Sequence, residues 1–191
     1  MQEINDDLHK LATALTKLIV KFFKENAAVE FSNKPQLKRE FIREFNKKMR
    51  IYGVEKFSAP TFVSTVNYYK NLEDLQNSRP LGVLIVYIIQ DYVSSLLKSF
   101  NYPDIDDSDD NALKDACGTL CNVIAGRFKA EISSMGFIEL EMSHFTNYLN
   151  TSLRGVDYCV DQPEKYEITF EIYRQKKLVV EMSMGAIPRI Y

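Results

Sequence analysis

Four small or polar residues on one predicted helix are the main candidates for chemistry in this sequence. They lie in the stretch DACGTLCNVIAG (115–126) and are Asp115, Thr119, Asn122 and Gly126, spaced four, three and four residues apart. At about 100° per residue, this spacing places them in a narrow stripe along one side of a helix. Such a stripe suits either a functional surface that another molecule approaches closely or the packing of a second helix of the same chain.

The opposite side of this helix is apolar, and the glycine in the stripe needs an explanation. A glycine inside a helix costs about 1 kcal/mol relative to alanine. Close approach of another surface is one reason to keep Gly126 on the exposed side. The residues predicted to face the core are Leu113, Ala116, Cys117, Leu120, Ile124 and Phe128.

This stretch resembles the active-site helix of the CheC/CheX/FliY family of chemotaxis phosphatases. The family pattern is Asp or Ser, three residues, Glu, two residues and Asn, often with a Gly four residues further on. Asp115, Asn122 and Gly126 match this pattern, whereas Thr119 stands where the family has Glu. The family's later proline is also missing, and His144 and Phe145 lie near its place. The order of elements from about residue 57 to 185 resembles CheX.

The resemblance implies a function, a partner and a role for each residue of the stripe. It implies that the chain docks a phosphorylated CheY-like receiver domain and hydrolyses its aspartyl phosphate, with Asn122 orienting the water. Asp115, Thr119 and Gly126 would contact the receiver, where the family's Glu pairs with a receiver lysine. The resemblance also implies that this chain has no cofactor or metal of its own and that Mg²⁺ is bound by the receiver domain. It further implies that the protein forms a homodimer.

Two other interpretations remain open from the sequence. Because Thr119 cannot supply a charge, the chain could be a catalytically impaired family member that binds a receiver or assembles a signalling complex. It could also be an unrelated structural α+β domain, with the small residues of the stripe serving internal packing.

The predicted elements form an α+β fold of the CheC/CheX type, in which two pseudo-repeats pack long helices on antiparallel sheet. Residues 1–55 are predicted as an N-terminal helical segment, and residues 56–191 as the CheX-like domain, folded together as one domain. The N-terminal segment comprises a helix over 4–26, a short strand over 27–31 and a basic amphipathic helix over 37–50. Later predictions are strands over 61–69, 82–88 and 136–142, helices over 91–100 and 111–134, and a closing hairpin.

Composition favours a soluble cytoplasmic protein. The 191 residues are 46% hydrophobic with a net charge of −2, so no global charge points to nucleic acid. The longest apolar run, over 81–89, is too short to span a membrane, and the acidic start is no secretory signal. Cys117, Cys121 and Cys159 are predicted as reduced thiols that fill apolar space.

Other candidate sites have weaker patterns. The acidic segment 104–111 begins like a calcium loop, but Asp109 stands where an EF-hand needs Gly, so helix capping is the better interpretation. His9 and His144 have no zinc-like or triad partners in the sequence, and no nucleotide-binding motif occurs. The basic face predicted over 37–50 could contact a membrane, nucleic acid or an acidic partner, or simply be solvated.

Overall fold

The long predicted helices and the central strands are present in the computed structural model, which describes residues 6–191. The helices are α1 (Asp6–Ala27), α2 (Gly53–Phe57), α3 (Leu72–Gln76), α4 (Gln90–Ser99) and α5 (Asp110–Ser134). The predicted start of the first helix, at residues 4 and 5, lies outside the described residues. No described helix combines the length and apolar character needed to cross a membrane.

Within residues 6–191, ten strands form two antiparallel sheets. They are β1 (Gln36–Phe41), β2 (Glu44–Phe45), β3 (Lys48–Ile51), β4 (Thr61–Tyr69), β5 (Gly82–Ile89), β6 (Glu141–Met142), β7 (Thr146–Asn150), β8 (Arg154–Val156), β9 (Glu164–Ile172) and β10 (Gln175–Met184). The large sheet has the order β1-β9-β10-β5-β4-β6, and β7 also pairs with β4. The small sheet has the order β2-β3-β8. The α+β prediction is therefore confirmed.

The large sheet is covered on both faces, which explains why β5 is an almost continuous apolar run. Alternate residues of its strands, such as Leu84 and Ile168, pack with α1, α4 and α5 in the main core. The residues between them, such as Ile85 and Val179, pack against Met49 of β3 and its neighbours in a second core. The period-two alternation of the strands thus serves two different layers.

The prediction of a helix over residues 37–50 is wrong, because this part of the chain forms β1, β2 and β3. Leu37 and Phe41 recur four residues apart, which fits a helix, but β1 instead pairs along its whole length with β9. Asn46 and Lys47 both have positive φ angles and join β2 to β3 as a two-residue hairpin turn. Pairing with a distant strand therefore overrides the local periodicity, and the N-terminal segment is not wholly helical.

Two predicted strands also differ from the structure. Residues 27–31 form no strand, because Ala28 adopts a positive φ and the amide of Val29 donates to the Phe23 carbonyl at the end of α1. The strand predicted over 136–142 shrinks to β6, although Phe137 makes an isolated bridge to Arg189. The alternating pattern of that segment is preserved in burial, since Leu140 is fully buried and Glu139 is exposed.

Candidate functional site

Helix α5 is held on the large sheet by its apolar side, as the sequence predicts. All six residues predicted to face the core are buried. The Tyr68 hydroxyl of β4 donates to the Ala125 carbonyl over 2.9 Å, which ties the middle of the helix to the sheet. At its start, the Asp109 carboxylate accepts from the Ala112 amide over 3.0 Å. The acidic loop therefore caps α5 and favours its positive N-terminal end.

The stripe defined by Asp115, Thr119, Asn122 and Gly126 lies on the outer side of α5. Asp115 and Thr119 are exposed, and Asn122 and Gly126 are partly exposed. The Asn147 amide of β7 donates to the Asp115 carboxylate over 3.3 Å, and the Thr119 hydroxyl donates to the Asp115 carbonyl over 3.0 Å. Two of the polar members are thus tied to the protein, while their outer sides face solvent.

The Asn122 amide is the least committed polar group of the stripe. Within residues 6–191, no side chain or backbone group forms a hydrogen bond with it. An amide at a partly exposed helix position can donate through its nitrogen and accept through its oxygen. Asn122 can therefore bind a group brought against α5 without first breaking a hydrogen bond inside the protein.

The two glycines of the stretch have different surroundings. A Cβ atom built on Gly118 would lie 2.3 Å from the Phe145 ring and 2.9 Å from the Asn147 amide nitrogen. A Cβ on Gly126 would meet no atom within 4 Å. Close packing within the chain therefore explains Gly118 but not Gly126, which faces open space.

Asn147 and Phe145 are site neighbours that the sequence analysis did not assign. Phe145 directly precedes β7 and Asn147 lies in it, 19 and 21 residues after Gly126, the last member of the stripe, and they meet α5 only because β7 pairs with β4. Nothing in the local pattern around β7 points to α5. Phe145 does lie near the place where the family's proline is missing, which was an indirect signal.

The cysteines of α5 do not add a reactive group to the site. Cys117 and Cys121 are buried free thiols on the apolar side of the helix. Burial raises the pKa of Cys117 to about 12 and raises that of Cys121 further. Since the thiolate is the nucleophile, both residues act as apolar fillers, as predicted.

Comparisons with known proteins place this arrangement in a known fold. No protein-family model matches the sequence, and no curated protein matches it. CheX from Desulfovibrio desulfuricans superposes with a TM-score of 0.62 at 16% identity, covering 92% of this chain and 99% of that one. This chain has the CheX-type fold. A CheC-like superfamily protein from Shewanella sp. PV-4 gives a TM-score of 0.64 at 15% identity, covering 92% and 97% of the two chains.

The same CheX-type fold occurs in a complex with a second protein. A chain of the CheX–CheY–BeF3–Mg²⁺ complex from Borrelia burgdorferi superposes with a TM-score of 0.54 at 13% identity, covering 92% of this chain and 98% of that one. The structural comparison confirms the fold that the resemblance implied, and the coverage shows that it extends over nearly the whole chain.

Proposed function

We propose that this protein docks a phosphorylated CheY-like receiver domain on the outer face of α5 and hydrolyses its aspartyl phosphate. The observation that carries the proposal is the Asn122 amide, which is partly exposed and free of hydrogen bonds within the described chain. It lies in the middle of a polar stripe on a fold that also occurs in a CheX–CheY complex. The other members of the stripe, Asp115, Thr119 and Gly126, would contact the receiver around it.

The proposed reaction needs positioning more than covalent chemistry. A water molecule attacks phosphorus in line, the bond between phosphorus and the receiver's carboxylate oxygen breaks, and inorganic phosphate leaves. The Asn122 amide would accept a hydrogen bond from that water or donate one to it, which fixes the water's direction of attack. A neutral amide does this without repelling the phosphoryl group. Mg²⁺ bound by the receiver would supply charge stabilisation when present.

Thr119 supports a second candidate function, docking without hydrolysis. Its hydroxyl already donates to the Asp115 carbonyl, and it has no charge to pair with a receiver lysine. A hydrogen bond to a charged group contributes about 1.5–3 kcal/mol, so its absence weakens docking. In this alternative the chain binds a receiver or assembles a signalling complex, and the lifetime of the phosphoryl group does not change.

One experiment separates these functions. A phosphorylated CheY-like receiver is mixed with the protein, and both binding and the release of inorganic phosphate are followed over time. The phosphatase function requires faster phosphate release in proportion to the protein added. Binding with an unchanged release rate selects the docking function, and the absence of both binding and release excludes the two proposals.

Replacing Gly126 by alanine tests whether α5 is a contact surface. Because the added Cβ meets open space, we expect the variant to be more stable by about 0.5–1 kcal/mol. If a receiver approaches the helix closely at this point, binding to it should nevertheless weaken. Chemical denaturation and receiver titration measure the two effects. A stabilised variant that binds the receiver as well as the wild type would show that the partner does not contact Gly126.

We further propose that the protein forms a homodimer, as the CheX resemblance implies. β1 is the last strand on one side of the large sheet and presents unpaired backbone groups along its outer edge. Light scattering at micromolar concentration should give twice the mass of one chain, 22.1 kDa. A monomer mass would refute this proposal without affecting the proposed site on α5.

A further inference from the structure

A second polar site lies on the opposite side of the large sheet from α5. It is a cleft of about 200 Å³ beside the β2–β3 hairpin, α2, β9 and β10. Tyr87, which lines the cleft, belongs to the second core and not to the core beneath α1 and α5. The cleft is therefore separate from the proposed docking face.

The floor of the cleft is a network of buried charges around Glu181. This carboxylate has no exposed surface and lies between the buried apolar residues Val180 and Met182 of β10. Lys56 donates to it over 2.6 Å, the Tyr87 hydroxyl donates over 2.7 Å, and Lys165 is a third donor. Lys56 also donates to Glu167, which lies directly opposite Glu181 in the sheet. The two facing carboxylates are thus neutralised by lysines.

This network disfavours a metal ion. Carboxylate oxygens of Glu40, Glu167 and Glu181 lie within 4.8 Å of one another, which is close enough to hold a cation. The ammonium groups of Lys56 and Lys165 already bond to these carboxylates. A metal ion would have to displace both lysines from a largely buried place, so the cleft is not set up for cations.

Positive charge remains unpaired at the mouth of the cleft. The lining holds five cationic side chains, Arg43, Arg50, Lys56, Lys165 and Lys176, against three anionic ones, Glu40, Glu55 and Glu167, and Glu181 is a fourth carboxylate in the floor. Arg50 forms an ion pair with Glu55, Lys56 with Glu181, and Lys165 with Glu40. Arg43 and Lys176 have no carboxylate within ion-pair distance anywhere in the described part of the chain. Two cations therefore face a small polar space without counterions.

Lys176 lies in a partly desolvated place between charges of both signs. Its ammonium group lies 5.7 Å from the centre of the Phe57 ring and is partly buried. Burial lowers the pKa of Lys176 below its usual value. The charges of Lys56 and Lys38 lower it further, whereas those of Glu167 and Glu181 raise it. An anion beside Lys176 would stabilise its charged form against this burial.

We propose that the cleft binds a small tetrahedral oxyanion, inorganic phosphate or the phosphate group of a small ester, between Arg43 and Lys176. A guanidinium group binds phosphate through two parallel hydrogen bonds, and an ammonium group adds a point charge. The β2–β3 hairpin fixes the backbone of Arg43, since its carbonyl accepts from the Arg50 amide over 2.8 Å. The cleft volume suits a phosphate-sized group. This inference does not depend on the function proposed for α5.

The test is a titration of the protein with inorganic phosphate at constant ionic strength, followed by calorimetry and by backbone amide chemical shifts. We expect saturable binding at one site, with shifts concentrated around Arg43 and Lys176. Adenosine monophosphate is titrated in parallel. Tighter binding of this ester would assign the phosphate to a nucleotide-like ligand that contacts Phe41 or Tyr52 in the lining, and equal binding would assign it to the free anion.

Three matched variants decide the outcome. Arg43→Met and Lys176→Met each remove one unpaired charge, and each should weaken phosphate binding about tenfold or more. Lys98→Met removes an exposed charge from α4, on the other side of the sheet, and should bind phosphate like the wild type. The proposal is overturned if phosphate gives no saturable binding, or if Lys98→Met weakens binding as much as the cleft variants. Thermal unfolding of each variant checks that the fold is intact.

Discussion

Replacing Thr119 by glutamate is expected to raise the rate of receiver dephosphorylation roughly tenfold. The new carboxylate stands one helical turn from Asn122 on the exposed side of α5, where the family pattern has its glutamate. An ion pair with a receiver lysine that is partly desolvated on docking would contribute about 1.5 kcal/mol or more, and 1.4 kcal/mol corresponds to tenfold. The rate of phosphate release at receiver concentrations below saturation measures the gain.

The same variant should change the fold very little. Thr119 is exposed, and its loss removes only a hydrogen bond within the helix. The new charge is repelled by Asp115, four residues earlier, at a cost of about 0.2–0.5 kcal/mol. Because glutamate favours helix more than threonine does, we expect the free energy of unfolding to change by no more than about 0.5 kcal/mol.

Adding Asn122→Ala to Thr119→Glu should abolish the gain, with a loss of about 100-fold in hydrolysis and little loss of binding. Removing one preorganised polar group at a reacting centre has an effect of about this size. Gln175, exposed at the tip of the β9–β10 hairpin, offers controls of both kinds. Gln175→Glu adds a carboxylate and Gln175→Ala removes an amide, and neither should alter hydrolysis. If the variants at positions 119 and 122 also leave receiver binding and hydrolysis unchanged, α5 is not a receiver-docking face.

The second large effect concerns Glu181, the buried carboxylate beneath the polar cleft. Glu181→Gln is expected to lower the free energy of unfolding by about 1.5–3 kcal/mol, because Lys56 and Lys165 would lose a buried charged acceptor, although they keep their ion pairs with Glu167 and Glu40. Chemical denaturation at neutral pH measures this loss. Glu139→Gln provides the control, since Glu139 is exposed and its ion pair with Lys129 lies at the surface. A change below about 1 kcal/mol at Glu181 would contradict the role assigned to the network.

The pH dependence of stability should differ between the wild type and Glu181→Gln. Burial alone would raise the pKa of Glu181, but Lys165 and Lys56 outweigh it and lower this pKa from 4.5 to about 2. A carboxyl whose pKa is lower in the folded state stabilises the fold fully above its unfolded pKa. That stabilisation is lost as pH falls from about 4.5 to about 2. Wild-type stability should therefore decline over this range, and the decline should be smaller in Glu181→Gln.

Much of the fold and part of the candidate site could be predicted from the sequence. Helices α1, α4 and α5 and strands β4, β5, β9 and β10 have strong local patterns, and the residues of α5 that its pattern predicts to face the core are all buried. The helix prediction for residues 37–50 was wrong because their spacing fits a helix as well as strands. Only the pairing of β1 with β9 decides between the two. The sequence also contained a signal for the buried Glu181 that was missed, since this residue is the single carboxylate in the mainly apolar run LVVEMSM (178–184).

The sequence by itself determined which side of α5 carries Asp115, Thr119, Asn122 and Gly126, since side-chain direction on a helix follows from spacing alone. Only the tertiary structure decided what each member of this stripe meets, because the neighbours come from distant segments. Pairing of β7 with β4 brings Asn147 to Asp115 and Phe145 to Gly118, and it leaves Gly126 facing open space. The polar cleft was likewise decided by tertiary structure, because its charges come from strands and a hairpin that meet only when the sheet forms.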